Sequence, residues 1–168
     1  MATQKVYAAP GAPVVFKDSD ATYTLTLNNL ANAVGRISDQ WDRGAGAALP
    51  DLYRVRCCFA FEATHTIVVG ERINVYLATS DGTNIDGTVG AVDAALTAAQ
   101  CNNLRLIGTV IVDVVSKDAK ITAAFDCIIN ERYVSVGVLN NTSDHMQADN
   151  DASTITFTPY PPDIQAAA

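Results

Sequence analysis

The chain has 168 residues, 49% of them apolar and 17% charged, with a formal net charge of −7. That length supports one domain with its own core, and the apolar share excludes a disordered chain. The acidic balance, without any run of basic residues, argues against phosphate-backbone binding, and the longest apolar stretch, residues 106–115, is broken by Gly108, Thr109 and Asp113, well short of the roughly 20 residues of a membrane span.

Residues 1–13 come first in the chain and hold Pro10 and Pro13, with no apolar run behind Lys5. An extended N-terminal arm without a secretory leader is expected there. Residues 14–159 form the predicted domain. Period-two alternation opens at 22–27, where Tyr23, Leu25 and Leu27 share one face and threonines the other. Over residues 30–41, Leu30, Val34, Ile37 and Trp41 have helical spacing, but Gly35-Arg36-Ile37-Ser38 suits a strand, and a strand after Gly35 is preferred. The clearest strand is 52–62, with Tyr53, Val55, Cys57, Phe59 and Phe61 inward and Arg54, Arg56 and Glu62 outward. Strands are also predicted at 66–69 and at 72–79, the latter with Ile73, Val75 and Leu77 on one face. A short helix is expected at 93–102, capped by Asp93 and packed through Leu96 and Ala99. Further strands follow at 104–115, 121–129, 132–139 and 153–158; in 132–139, Tyr133 and Leu139 are expected in the core, opposite Val134, Val136 and Val138. Residues 160–168, with Pro161 and Pro162, are expected as a C-terminal tail. Short strands separated by turn residues such as Ser80-Asp81-Gly82 and Asn140-Asn141-Thr142 predict an all-β sandwich or barrel.

Chemistry-bearing residues are sparse. Only His65 and His145 are available as imidazole bases, no Gly-x-Ser-x-Gly elbow occurs, and an enzyme is not expected. Cys57 and Cys58 are adjacent, so a strand points them to opposite faces; with Cys101 and Cys127 they are expected as reduced thiols. No Cys-x-x-Cys pair exists, and neither a metal nor any cofactor is expected. The stretch Asp81-Gly82-Thr83-Asn84-Ile85-Asp86-Gly87 resembles a calcium loop without its closing glutamate and is expected as a structural turn. Asp144, Asp149 and Asp151 are expected as a solvated loop. Thr22, Thr24, Thr26, Thr154, Thr156 and Thr158 could line a sugar-binding face, but one Trp and 7% aromatic residues favour a plain solvent-facing sheet.

Gly35-Arg36-Ile37-Ser38 with Trp41-Asp42, then Tyr53-Arg54-Val55-Arg56, are followed by Ile73-Asn74-Val75-Tyr76-Leu77-Ala78-Thr79-Ser80-Asp81-Gly82. Arg132-Tyr133-Val134-Ser135-Val136-Gly137-Val138-Leu139-Asn140-Asn141-Thr142 and Ile155-Thr156-Phe157-Thr158-Pro159 complete the series. Across residues 34–159 this order of pieces resembles the jelly-roll virion proteins of tailed bacteriophages, including capsid decoration or cement proteins. The resemblance implies a jelly-roll-like sandwich of about eight strands with extended arms, assembled into a virion in the host cytoplasm. The expected function is decoration of the outer surface of a capsid lattice; the alternative is a carbohydrate-binding module of a head or tail fibre. Expected partners are the major capsid protein and further copies of the chain, a homotrimer foremost, with no nucleic acid and no membrane. Prolines that preset an extended backbone, beside apolar side chains, point to an assembly contact at Pro10, Pro13, Val14, Val15, Phe16, Pro159, Tyr160, Pro161, Pro162 and Ile164.

Overall fold

Side-chain alternation over nine residues from Leu52 to Ala60 drives the longest strands of the molecule: Tyr53, Val55, Cys57 and Phe59 are buried while Leu52, Arg54 and Arg56 are exposed. A computed structural model describes residues 12–20, 22–44, 50–62, 67–86, 91–113, 120–149 and 151–160. Its elements are β1 (Val14–Phe16), β2 (Val34–Ile37), β3 (Trp41–Asp42), β4 (Leu52–Ala60), β5 (Arg72–Ser80), β6 (Ala94–Leu96), α1 (Ala98–Cys101), β7 (Arg105–Ile111), β8 (Lys120–Ile128), β9 (Tyr133–Asn141) and β10 (Thr154–Pro159). They form two antiparallel sheets. One has four strands in the order β1-β10-β4-β8; the other has six, in the order β6-β2-β9-β5-β7 with β3 also on β9. The expected all-β sandwich is therefore the observed fold.

The inner faces of both sheets meet in one core. Phe157 of β10 lies 5.7 Å from Phe16 of β1 and 5.9 Å from Trp41 of β3, and Trp41 stands edge-on to Tyr53 at 5.5 Å. Such tilted and edge-to-face ring pairs add to what their buried area contributes. Val55, Phe59, Ile73, Val75, Leu77, Val134, Val136 and Val138 fill the rest. The six-stranded sheet is covered on its outer side too. There Ile37, Tyr76, Ala78, Ile85, Leu96, Cys101, Leu104 and Leu139 form a second cluster, roofed by the β6–α1 segment and the turn after β5. Gly137 of β9 belongs to that cover: a Cβ there would lie 3.2 Å from Leu96 and 3.3 Å from Leu104.

Several expectations are corrected. On β9 Leu139 is buried as expected, but in the outer cluster, while the valines face the main core and Tyr133 is only partly buried; two covered faces remove the alternation that would tell them apart. Residues 22–27 bury Leu25 and Leu27 as expected, yet form no ladder beyond a bridge between Lys17 and Thr24. Carboxylates take its amides instead: Thr24 N–H donates to Asp39 and Thr26 N–H to Asp93. Asp93 consequently caps no helix. It receives Arg36 Nε at 3.0 Å and the Thr26 hydroxyl at 2.7 Å, and the single turn of α1 is capped by Thr97 in a capping box with Gln100. No strand forms at residues 67–69; residue 66 lies outside the described residues. Between β2 and β3 the Ser38 hydroxyl replaces a ladder acceptor, taking Val136 N–H at 2.9 Å. One further residue, absent from the expectations, closes an end of the core: Arg43, buried, donates to the carbonyls of Glu131 and Pro50 and lies 5.2 Å over the Tyr53 ring.

Candidate interaction surface

The terminal residues expected at an assembly contact divide between core and surface. Val14 packs against the core, Phe16 is fully buried, and Pro159 is buried opposite Tyr53 at the end of β10. Phe16 is therefore not available to a partner, because its pairing with Ile155 turns the ring inward. Val15 points the other way, and Pro13 and Tyr160 are exposed. Pro10, Pro161, Pro162 and Ile164 lie outside the described residues.

Val15 and Tyr160 join a surface that the sequence did not display as a unit, the outer face of the four-stranded sheet. Strand register assembles it in rows. Val15, Thr156, Arg56 and Ala124 lie side by side across β1, β10, β4 and β8; Thr158, Arg54 and Asp126 form the next row; Leu52 and Ile128 pair beyond them, with Tyr160 N–H donating to the Leu52 carbonyl at 2.9 Å. Tyr160, Leu52 and Ile128 are 42%, 42% and 56% exposed, so this end of the face is apolar and open. Arg54 and Asp126 join at 3.0 Å, and the hydrogen bond with Asp126 raises the arginine pKa above its ordinary value. Arg56 and Lys120 are exposed and have no ion pair among the described residues. Three cations against one carboxylate give this face a formal +2, on a chain of net −7.

Other candidates resolve into structure. Asp81 accepts from the Thr83 and Asn84 amides at 2.8 Å each, which lowers its pKa and uses the carboxylate to fold its own turn, with Gly82 at φ +97°. Gly87 lies outside the described residues. Asp81, Asp86 and Glu131, together with Thr79, Ser80, Asn84 and Ile85, line a shallow concavity of about 520 Å³. Asp144 is buried rather than solvated, its Oδ1 accepting the His145 amide at 2.7 Å, and Asp151 binds Lys17 at 3.0 Å and the Ser19 backbone at 3.1 Å. The expected acidic loop is thus split among different contacts. His145 is partly buried beside β4, its carbonyl accepting from Glu62 N–H, and His65 lies outside the described residues. All four cysteines are free thiols; burial pushes Cys57 up to about 12, while its neighbour Cys58 is half-buried on the open side. Among the described residues no three His, Cys, Asp or Glu side chains are grouped to hold a metal, and no helix is long and apolar enough to cross a membrane.

No model of a known protein family matches the chain, and no characterised protein matches it either.

Proposed function

We propose that the chain is a non-enzymatic structural protein of a tailed-bacteriophage particle, a decoration subunit that binds the outside of the capsid lattice. The observation that carries this reading is strand order. With the short β3 and β6 set aside, the sheets run β1-β10-β4-β8 and β2-β9-β5-β7, an order that supports a jelly-roll reading, and the jelly roll is an architecture recurrent in viral capsid proteins. Fold by itself does not assign a role. The surface adds to it: the molecule offers an open sheet face with cations and an apolar end, which suits a protein contact better than it suits catalysis on a small substrate.

The test is to mix purified chain with empty shells of a major capsid protein from the same genome and to measure bound copies by sedimentation and electron microscopy. Saturation at a fixed ratio to capsid subunits, with raised shell stability, is expected. Shells that sediment bare at saturating protein would overturn the proposal.

A further inference from the structure

A sheet edge is a row of backbone donors and acceptors without partners, and folds normally keep it short, bend it or cover it. Here β1 and β6 are edges of three residues each, and the edge strand β7 carries a register shift opposite Val75 and Tyr76. β8 differs. It runs nine residues, Lys120–Ile128, without proline or glycine, and among the described strands it pairs only with β4. Ile129 N–H donates to the Asp51 carbonyl at 2.7 Å, so by the alternation of an antiparallel ladder the even-numbered residues of β8 turn their backbone groups away from β4. The Ile128 carbonyl follows that direction, accepting the Arg105 guanidinium of β7. None of the backbone hydrogen bonds outside the ladders among the described residues uses the amides of Thr122, Ala124 or Asp126, which share this edge.

The side chains of these even-numbered residues lie exposed on the outer face, so a segment laid along the edge meets edge and face together. Lys120 stands at one end and Ile128, 56% exposed beside Leu52, at the other, about 27 Å away at the rise of a strand. Midway, Ala124 is small and Arg56 lies directly across from it on β4, which leaves the long arginine room to reach over β8. Arg56 and Lys120 are exposed and have no ion pair among the described residues, whereas Asp126, the carboxylate of β8, is held by Arg54 at 3.0 Å. We propose that this edge takes an extended acidic segment of a protein partner as a fifth strand of the sheet. Its backbone bonds to Thr122, Ala124 and Asp126, its carboxylates face Lys120 and Arg56, and an apolar side chain rests on Ile128 and Leu52. In such strand addition the main chain supplies affinity and alternate side chains supply specificity. The inference rests on the structural-subunit reading in one respect, that protein contact is the work of the chain, and adds the chemistry of the partner.

The experiment selects a displayed library of random nonapeptides on the full chain and then measures the most enriched sequence, as a synthetic peptide with blocked ends, by titration calorimetry. Enrichment of Asp, Glu and β-branched residues, with loss of Lys, Arg and Pro, is expected. Changing the peptide's carboxylates to amides, or N-methylating alternate backbone amides, each weakens binding at least about tenfold. On the chain, Ala124→Pro removes an edge donor that β4 does not use and has the same effect, as do Arg56→Glu and Lys120→Glu by reversing the charge. Circular dichroism reports whether each variant is folded; should Ala124→Pro unfold, the N-methylated peptide makes the same test on the wild-type chain. No enrichment, a basic consensus, binding indifferent to N-methylation, or displacement of the peptide by anionic lipid vesicles or single-stranded DNA would overturn the strand-addition site. Any of these leaves the virion reading to stand on its own shell-binding test. A chain that holds the acidic peptide at β8 yet ignores shells would sink the virion reading and leave this inference standing.

Discussion

The two sheets of this molecule are built from similar strands and meet different fates on their outer sides. The six-stranded sheet is roofed by Leu96, Cys101, Leu104 and Ile85, so seven consecutive residues of β9, Val134 to Asn140, are buried. The four-stranded sheet has no such roof among the described residues, and Leu52, Arg54 and Arg56 of β4 stand exposed between buried neighbours. A sheet covered twice spends its surface on stability, whereas a sheet covered once keeps a face for contact. The exposed cations and the apolar end formed by Leu52, Ile128 and Tyr160 give that remaining face its chemical character.

The largest expected effect falls where both sheets share one filling. Phe157, fully buried among Phe16, Trp41 and Tyr53, leaves a cavity when changed to alanine; Phe157→Ala lowers stability by about 3–5 kcal/mol, read by urea unfolding. Next comes the covered sheet alone. Gly35 of β2 sits where a Cβ would lie 2.7 Å from the Leu96 carbonyl oxygen and 2.9 Å from that of Val138. Both are backbone atoms that cannot swing aside, so Gly35→Ala costs about 1–3 kcal/mol by the same measurement. The smallest effect compares the two sides of β4. Cys57 on the core side is raised to about 12 from a value of 9.0, so the folded state holds its proton more tightly than the unfolded state does. The sign follows: this contribution is complete below pH 9.0 and is lost as pH rises through about 12. At mildly alkaline pH an alkylating reagent modifies Cys58 first and spares Cys57 until the protein unfolds; mass spectrometry of the labelled chain checks the order.

Much of the four-stranded sheet was legible in the sequence, because one buried face leaves a period of two. The run from Leu52 through Phe59 shows this, with its arginines outward. The same rule buries Leu139 correctly but on the wrong side and overstates the burial of Tyr133, since strand β9 is apolar on both sides and the alternation carries no label for which side is the main core. Residues 22–27 alternate as a strand does, but Asp39 and Asp93, distant in sequence, satisfy their amides, and nothing local announces that. Asp93 reads as a helix cap for the same reason: its partner, Arg36, is brought beside it only by pairing of β2 with β6. The candidate surface was legible only in pieces. Val15, Arg56, Ala124 and Thr156 come from four separate stretches, and their row exists only once β1, β10, β4 and β8 are aligned. Phe16 reads as part of a terminal contact because proline and apolar residues look alike in an arm and in an edge strand; one register step decides that Phe16 enters the core while Val15 stays outside.

The contrast between the sheets is tested most directly by placing the same charge on each outer face and measuring equilibrium unfolding in urea. Leu139→Asp puts a carboxylate inside the outer cluster of the six-stranded sheet, where the wild-type side chain is 5% exposed. Thr156→Asp puts one on the open face, directly across from Arg56. The account predicts that Leu139→Asp loses about 4 kcal/mol or more, or fails to fold, as a buried unpaired charge should, while Thr156→Asp stays within about 1 kcal/mol of the wild type. Similar losses in the two variants would mean that the four-stranded sheet is covered after all, and would contradict it.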